Sequence, residues 1–399
     1  MIKHTYLVIY GLFLSMIIGI VAAVFLILEN LLSEIVWSSH NQIIQTILIV
    51  VGSVILYYLL KRWPDLPKTT HDSIVELKEN QTIDYQDTFL NLLITLVILT
   101  FGAGVGPEAA LLSAIISLSI WQADNLRYFY FQYDELKKLS LSTALSRLLN
   151  PFKYRQTYND DVAVKIPALI RWKKLLYLVF IINGIFAFTL LVRETDQPSF
   201  ILKLGQSHWK LTDLWMLPVL MIMGIVFGIV CKICYKTILK LTKKVNTTLL
   251  TRVLLGAAGI ILVSYLAPDL LFSGQHSLHL LIGDWSNKSP LYLTIMALIK
   301  LLFLAWCLRL NWRGGDIFPI TFAAMLEGFA VAAIFPNFDK LFVVAIIATT
   351  IMSELSSPIL AGIFILLFFP LKLSPIIIVV AGLLYLKNKY LPNLNVKKA

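Results

Sequence analysis

The stretch Phe101-Gly-Ala-Gly-Val-Gly-Pro-Glu-Ala-Ala-Leu-Leu-Ser113 decides how the rest of the chain is read. Three glycines and a proline make a turn, and a single acid, Glu108, follows at the start of an apolar helix. A carboxylate at membrane depth is costly, so it is rare there and usually marks an ion or proton path. A glycine-proline turn just before it predicts a helix that begins inside the membrane. Such a helix aims free backbone N–H groups and the positive end of its dipole into the gap, which is the local chemistry of an anion site. A re-entrant turn with a structural glutamate is the alternative reading of the same residues.

The surrounding composition makes this a membrane argument. Of 399 residues, 58% are hydrophobic and only 14% charged, against roughly a quarter charged in soluble domains. The expected fold class is therefore an all-α polytopic membrane protein. Apolar stretches occur near 5–28, 43–60, 89–121, 175–192, 212–235, 250–267, 289–308, 317–335, 341–352 and 358–386. Several are shorter than the ~20 residues of a spanning helix. Short spans in this number predict tilted and broken helices, tolerated where protein or a cavity covers the backbone. The first stretch lacks a small-residue cleavage site and is expected to remain as an anchor.

Net charge is +11, with Lys and Arg concentrated in 127–174, in 232–252 and at Lys387, Lys389, Lys397 and Lys398. The positive-inside tendency puts these segments and both termini in the cytoplasm, expected to be that of a bacterium with the protein in its plasma membrane. No basic segment carries a nucleic-acid readout motif, so nucleic acid is not an expected partner. Cys231-Lys-Ile-Cys234 has no second pair for zinc, and with Cys307 the cysteines read as small buried helix residues.

An internal repeat organises the chain. Met16-Ile-Ile-Gly-Ile-Val21 resembles Met221-Ile-Met-Gly-Ile-Val226, and Gly104-Val-Gly-Pro107 finds a counterpart in Gly314-Gly-Asp-Ile-Phe-Pro319. Asn183-Gly-Ile-Phe186 pairs with Ala361-Gly-Ile-Phe364. The anchors keep their order, at offsets of 205, 212 and 178 residues. The reading is two membrane repeats, 1–204 and 205–399. The shortfall at the third anchor is assigned to a cytoplasmic insertion at about 124–174, with a short amphipathic helix at Glu135–Leu149. Repeats of this kind place a transport site between glycine- or proline-interrupted helices.

Gly106-Pro-Glu-Ala-Ala and Gly315-Asp-Ile-Phe-Pro319 resemble divergent forms of two signature turns of the CLC family of chloride channels and chloride/proton antiporters, written G-[KR]-E-G-P and G-x-F-x-P. Leu266-Ala-Pro268, Ser273-Gly-Gln, Ser356 to Phe364, and Leu373 to Tyr390 extend the likeness, which covers 205–391 best. The resemblance implies an inverted repeat of tilted and broken helices and a homodimer in which each subunit holds its own anion path. It makes Glu108 the gating carboxylate. It makes Gly106, Ala109, Gly315, Asp316, Ile317 and Phe318 the anion-binding turns, the N–H donors coming chiefly from Ile317 and Phe318. It gives Tyr390 the hydroxyl, although an interfacial aromatic beside Lys387 and Lys389 is the other reading of that residue. The expected partners are chloride or another small anion and the lipid bilayer. Neither cofactor nor metal is expected, and the nine residues after Tyr390 leave no room for a C-terminal nucleotide-binding domain.

The departures shape the functional expectation. Pro107 replaces the basic residue before the glutamate, removing a charge and a donor. Ile317 stands for a phenylalanine, and Asp316 adds an acid. The family's serine turn should precede Glu108 by roughly forty residues, by analogy, which puts Pro64 or Asp65 in its place. Leu190 and Leu191 fall where antiporters carry an internal proton-accepting glutamate, with Glu194 one turn further. Anion transport with weak or no proton coupling is therefore expected. A transport-inactive partner subunit and an intramembrane enzyme using Glu108, Asp316 and Glu354 are the alternatives. His276-Ser-Leu-His279 reads as a polar loop rather than a metal site, and Ser353-Glu-Leu-Ser-Ser-Pro358 as helix capping rather than a hydrolytic dyad.

Overall fold

The computed structural model describes residues 2–39, 41–150, 152–158, 167–195, 203–243, 248–274 and 277–390. His276, Lys397 and Lys398, all named above, lie outside the described residues, as does part of the 124–174 segment. Regular structure among the described residues is helical, and nine of its helices are long and apolar enough to cross a membrane. The chain forms two compact units that interleave along the sequence, residues 1–35, 65–96 and 109–197 in one, and 36–64, 97–108 and 198–399 in the other.

The first unit is built on α1 (Ile2–Trp37), whose last two residues belong to the other unit. After α2 (Gln42–Arg62), which is part of the second unit, α3 (Thr70–Asn80) opens with a capping box. Thr69 Oγ1 accepts the Asp72 N–H while the Asp72 carboxylate accepts the Thr69 N–H, satisfying two otherwise orphaned donors. α4 (Thr88–Thr100) leads into the glycine turn and α5 (Glu108–Phe131). Tyr10, Leu14, Ile18, Tyr85, Leu118, Trp121, Phe129 and Leu136 form this unit's buried core.

Two sequence expectations change here. Asp124 does not begin a loop: it is a buried residue inside α5, accepting Tyr85 Oη–H at 3.1 Å and pairing with Arg127 at 2.6 Å. The amphipathic helix at Glu135–Leu149 is two helices, α6 (Tyr133–Lys138) and α7 (Leu141–Leu148). Ser140 separates them because its side chain caps the second, accepting the Thr143 N–H at 3.3 Å.

α8 (Pro167–Arg193) crosses α1 at the two glycines picked out as repeat anchors. A Cβ on Gly19 would fall 2.1 Å from the carbonyl oxygen of Gly184, so only glycine permits this approach. Asn183 fixes the crossing with hydrogen bonds from Nδ2 to Leu12 O and Ser15 Oγ, both 2.8 Å.

In the second unit α9 (Leu217–Lys243), α10 (Leu249–Leu266), α11 (Leu278–Ile282) and α12 (Pro290–Arg309) precede the central pair, α13 (Ile317–Ile334) and α14 (Lys340–Leu355). α13 packs between α12 and α14, and α14 touches α9, α15 (Pro358–Phe368) and α16 (Ser374–Tyr390). Both central helices are apolar around nearly their whole circumference and buried to match, as a helix hydrophobic on all sides must be. Gly224 lets α9 close on α14, where an added Cβ would lie 2.8 Å from Thr350 Cβ.

Candidate functional site

The two glycine-proline corners meet. Gly106 and Gly315 exchange backbone hydrogen bonds in both directions at 2.7 Å, a single antiparallel bridge. The bridge holds the segment ahead of α5 against the segment ahead of α13, within the second unit. Both glycines face the end of the Glu108 side chain: a Cβ on Gly106 would lie 1.9 Å from Glu108 Oε2 and one on Gly315 would lie 2.1 Å from Glu108 Cδ, so an added side chain would displace the carboxylate. The side chain of Glu108 fills the notch that these missing side chains leave.

Glu108 is 5% exposed. Its Oε1 accepts the backbone N–H of Phe318 at 3.1 Å, and the amides of Ile317 and of Glu108 itself add to the favourable field around it. Asp316 occupies the N-cap position of α13 without capping it. Glu108 serves as the cap instead, supplying negative charge where the first-turn donors are unsatisfied. Oε2 is buried and has no hydrogen-bond partner. The notch therefore holds an anionic group on backbone donors, with one oxygen left unsatisfied.

Beneath the turn, Gly104 N–H points to Cys307 Sγ at 3.3 Å, and Gly104 packs so closely on Phe303 that a Cβ would lie 2.5 Å from its ring. Asp316 also lines a cavity of about 310 Å³, together with Cys231, Lys232, Tyr235, Glu354 and Ser356. Glu354 is held there between two ammonium groups, Lys232 at 2.8 Å and Lys387 in closer contact. Asp316 thus faces an accessible space one residue away from the bridge, while its charge interacts with that of Glu108.

Of the residues singled out in the sequence, Gly106, Glu108, Gly315, Ile317 and Phe318 come together, and Asp316 borders them. Ala109 follows in α5, in the other unit, its carbonyl accepting the Thr70 hydroxyl at 3.2 Å. Tyr390 does not join them. It is 68% exposed at the last residue of α16, with Lys389 Nζ 5.3 Å from its ring centroid. Ser374 to Tyr390 runs as one continuous helix, because nothing in Ile376-Ile-Ile-Val-Val-Ala interrupts it.

Sequence reasoning missed three groups. No helix starts at Pro64 or Asp65. The next helix starts at Thr70, and Thr69-Thr-His-Asp72 carries a capping-box pattern that was there to be read. Lys300 lies on α12 with 0% exposure, and Glu327 on α13 is 8% exposed with an unpartnered Oε2. Both stand out as lone charges in apolar runs, the signal by which Glu108 was found. Among the described residues no cluster of His, Cys, Asp or Glu could hold a metal ion, and the cysteines are free.

A model of the voltage gated chloride channel family matches residues 169–384, just over half of the sequence. The chain belongs to the CLC family. Its fold agrees across nearly the whole length with solved CLC structures. It is similar to a CLC-type fluoride/proton antiporter (TM-score 0.66, 17% identity, 96% of this chain and 95% of that one). It is similar as well to a slow cyanobacterial Cl−/H+ antiporter (TM-score 0.65, 15% identity, 95% and 94%). A eukaryotic CLC transporter matches at TM-score 0.57 and 15% identity, over 96% of this chain and 72% of that one. No curated protein matches. The CLC architecture of tilted and broken membrane helices, expected from the glycine-proline corners, is the fold of this chain.

Proposed function

We propose that this CLC protein carries a small anion, chloride in the first instance, across the membrane, with Glu108 as the gate and with weak or no proton coupling. One observation carries the reading: the Glu108 carboxylate is seated on the Phe318 N–H in the notch between Gly106 and Gly315. A carboxylate so held is the intramolecular stand-in for a bound anion. When it leaves, the same donors are free for a halide. Backbone N–H groups at helix ends bind anions without a full positive charge that would trap them.

Weak coupling follows from what the path lacks. Leu190 and Leu191 offer no proton-accepting group, and Pro107 has taken the place of the signature's basic residue. A homodimer with one path per subunit, in a bacterial plasma membrane with cytoplasmic termini, completes the proposal. The enzyme alternative loses support because Glu354 is engaged with Lys232 and Lys387 rather than free to act as an acid.

Efflux from proteoliposomes is the direct test. Chloride, fluoride and nitrate efflux with a potassium shunt is expected, with no uphill chloride uptake when a pH gradient is imposed. Steady uphill chloride uptake that is lost in Glu108→Gln would overturn the passive part. No efflux of any of the three anions would favour the transport-inactive partner subunit.

A further inference from the structure

Lys300 is the one fully buried lysine among the described residues, at 0% exposure in the apolar interior of α12. Its ammonium donates to the carbonyl oxygens of Leu270, at 2.8 Å, and of Phe272, in closer contact. Burying an ammonium costs several kcal/mol even after relaxation. Two carbonyl bonds could be made by a neutral amide at far lower cost, so pinning the 268–272 segment does not explain why a lysine stands here.

Its position does. Lys300 Nζ lies 5.8 Å from the ring centroid of Phe303, and that ring also packs against Gly104. Cys307, two helical turns further along the same face of α12, accepts the Gly104 N–H. The ammonium therefore sits just beneath the 101–106 turn that ends in the Gly106–Gly315 bridge. The groups with which its charge interacts are Cys307 and Glu108. Among the described residues, the charged group that bears on Glu108 from the notch itself is an acid, Asp316.

The charge balance at the notch needs such a group. Each helix N-terminus supplies roughly half an elementary charge, against one negative charge on Glu108 or a bound anion and a second on Asp316. The basic residue of the signature turn is gone at Pro107. We propose that Lys300, in its ammonium form, is the counter-charge of this anion site, supplied from below the turn by α12 in place of a cation within the turn. This rests on the anion-transport reading above. Lys300 touches neither the carboxylate nor the anion, so it acts through the field and raises affinity for any monovalent anion in the notch.

The test separates charge from hydrogen bonding. Chloride, bromide and nitrate titrations by calorimetry on the purified full-length protein in detergent would compare wild type with Lys300→Arg, Lys300→Gln and Lys300→Met. Arginine keeps the charge and the donors, glutamine keeps donors alone, and methionine keeps neither. Arginine is expected to stay within threefold of wild type. Glutamine and methionine are each expected to lose at least tenfold, by the same factor for all three anions, so the order of anion preference is unchanged. Affinity in glutamine equal to wild type would overturn the proposal and assign Lys300 to pinning the loop. Loss of thermal stability in methionine with undiminished affinity of the folded protein would do the same. If wild type binds none of the anions, the transport reading fails and this proposal fails with it. If wild type binds and all variants bind equally, this proposal fails alone.

Discussion

Truncating the gate gives the sharpest expectation. Glu108→Ala removes a carboxylate that is 5% exposed and accepts the Phe318 N–H at 3.1 Å. The donors then face an emptied notch between Gly106 and Gly315, and an anion from solution no longer has to displace a tethered rival. A hydrogen bond to a charged group is worth about 1.5–3 kcal/mol. At 1.36 kcal/mol per factor of ten, its loss as a competitor raises apparent chloride affinity roughly 10- to 150-fold. Passive chloride efflux should rise as well, since the plug is gone. Calorimetric titration gives the affinity, and a chloride electrode on proteoliposomes gives the flux. The fold should survive, because removing a buried charge offsets the void left by four side-chain heavy atoms. Unchanged affinity and unchanged flux in a folded Glu108→Ala protein would refute the idea that the carboxylate occupies an anion's seat.

Other substitutions probe the rest of the molecule. Asp316→Asn removes a like charge beside the notch and should tighten chloride binding roughly fivefold, the equivalent of about 1 kcal/mol, by the same titration. Equal affinities would mean that the cavity lined by Asp316 screens it fully. Glu354→Gln leaves Lys232 and Lys387 without their shared carboxylate; breaking a buried pair of this kind costs about 3 kcal/mol, read as a lower thermal midpoint in detergent. Gly19→Val forces a side chain onto a carbonyl oxygen 2.1 Å away in α8. It should cost about 3 kcal/mol, the upper end for overpacking, because a helix backbone cannot yield as a side chain can; monodispersity on size exclusion would report it.

What could be read from the sequence was whatever depends on backbone. Gly19 has no substitute where it meets the carbonyl of Gly184, and Gly106 and Gly315 leave the space that the Glu108 carboxylate fills. Glu108 was visible because a charge in an apolar run must be explained. The same argument applied to Lys300 and Glu327, yet each sits well inside a long helix rather than at a glycine-proline corner, and nothing adjacent in sequence marked it. Their significance lies in groups far along the chain, Phe272 and Gly104 for the lysine, which periodicity cannot bring together. Tyr390 shows the other limit: its hydroxyl role was carried over by resemblance alone, and the uninterrupted α16 leaves the residue exposed. The position of α3 was missed by looking for the family's serine turn about forty residues before Glu108 rather than for the cap that starts a helix at Thr70.

These outcomes share a cause that explains how the signature turns diverge without losing the site. The notch is made of N–H groups and absent Cβ atoms, and neither depends on the side chains that differ. Pro107 sits just before the first residue of α5, where its missing N–H would have had no intrahelical acceptor, so the helix loses nothing. Ile317 in place of phenylalanine leaves its amide where it was. What the substitutions do alter is charge, with one cation removed at Pro107 and one acid added at Asp316. Charge acts through distance and can be restored from a neighbouring helix, whereas a bridge such as Gly106–Gly315 cannot. Relatives of this chain that keep both bridge glycines should therefore tolerate exchange of the basic residue beside the glutamate, provided that a buried cation remains at the position of Lys300. A Gly315→Ala variant should lose anion binding whatever charge is supplied, because its Cβ would lie 2.1–2.5 Å from the carboxylate atoms that mark the anion's seat. Retention of wild-type chloride affinity by that variant would show that the notch is not where the anion binds.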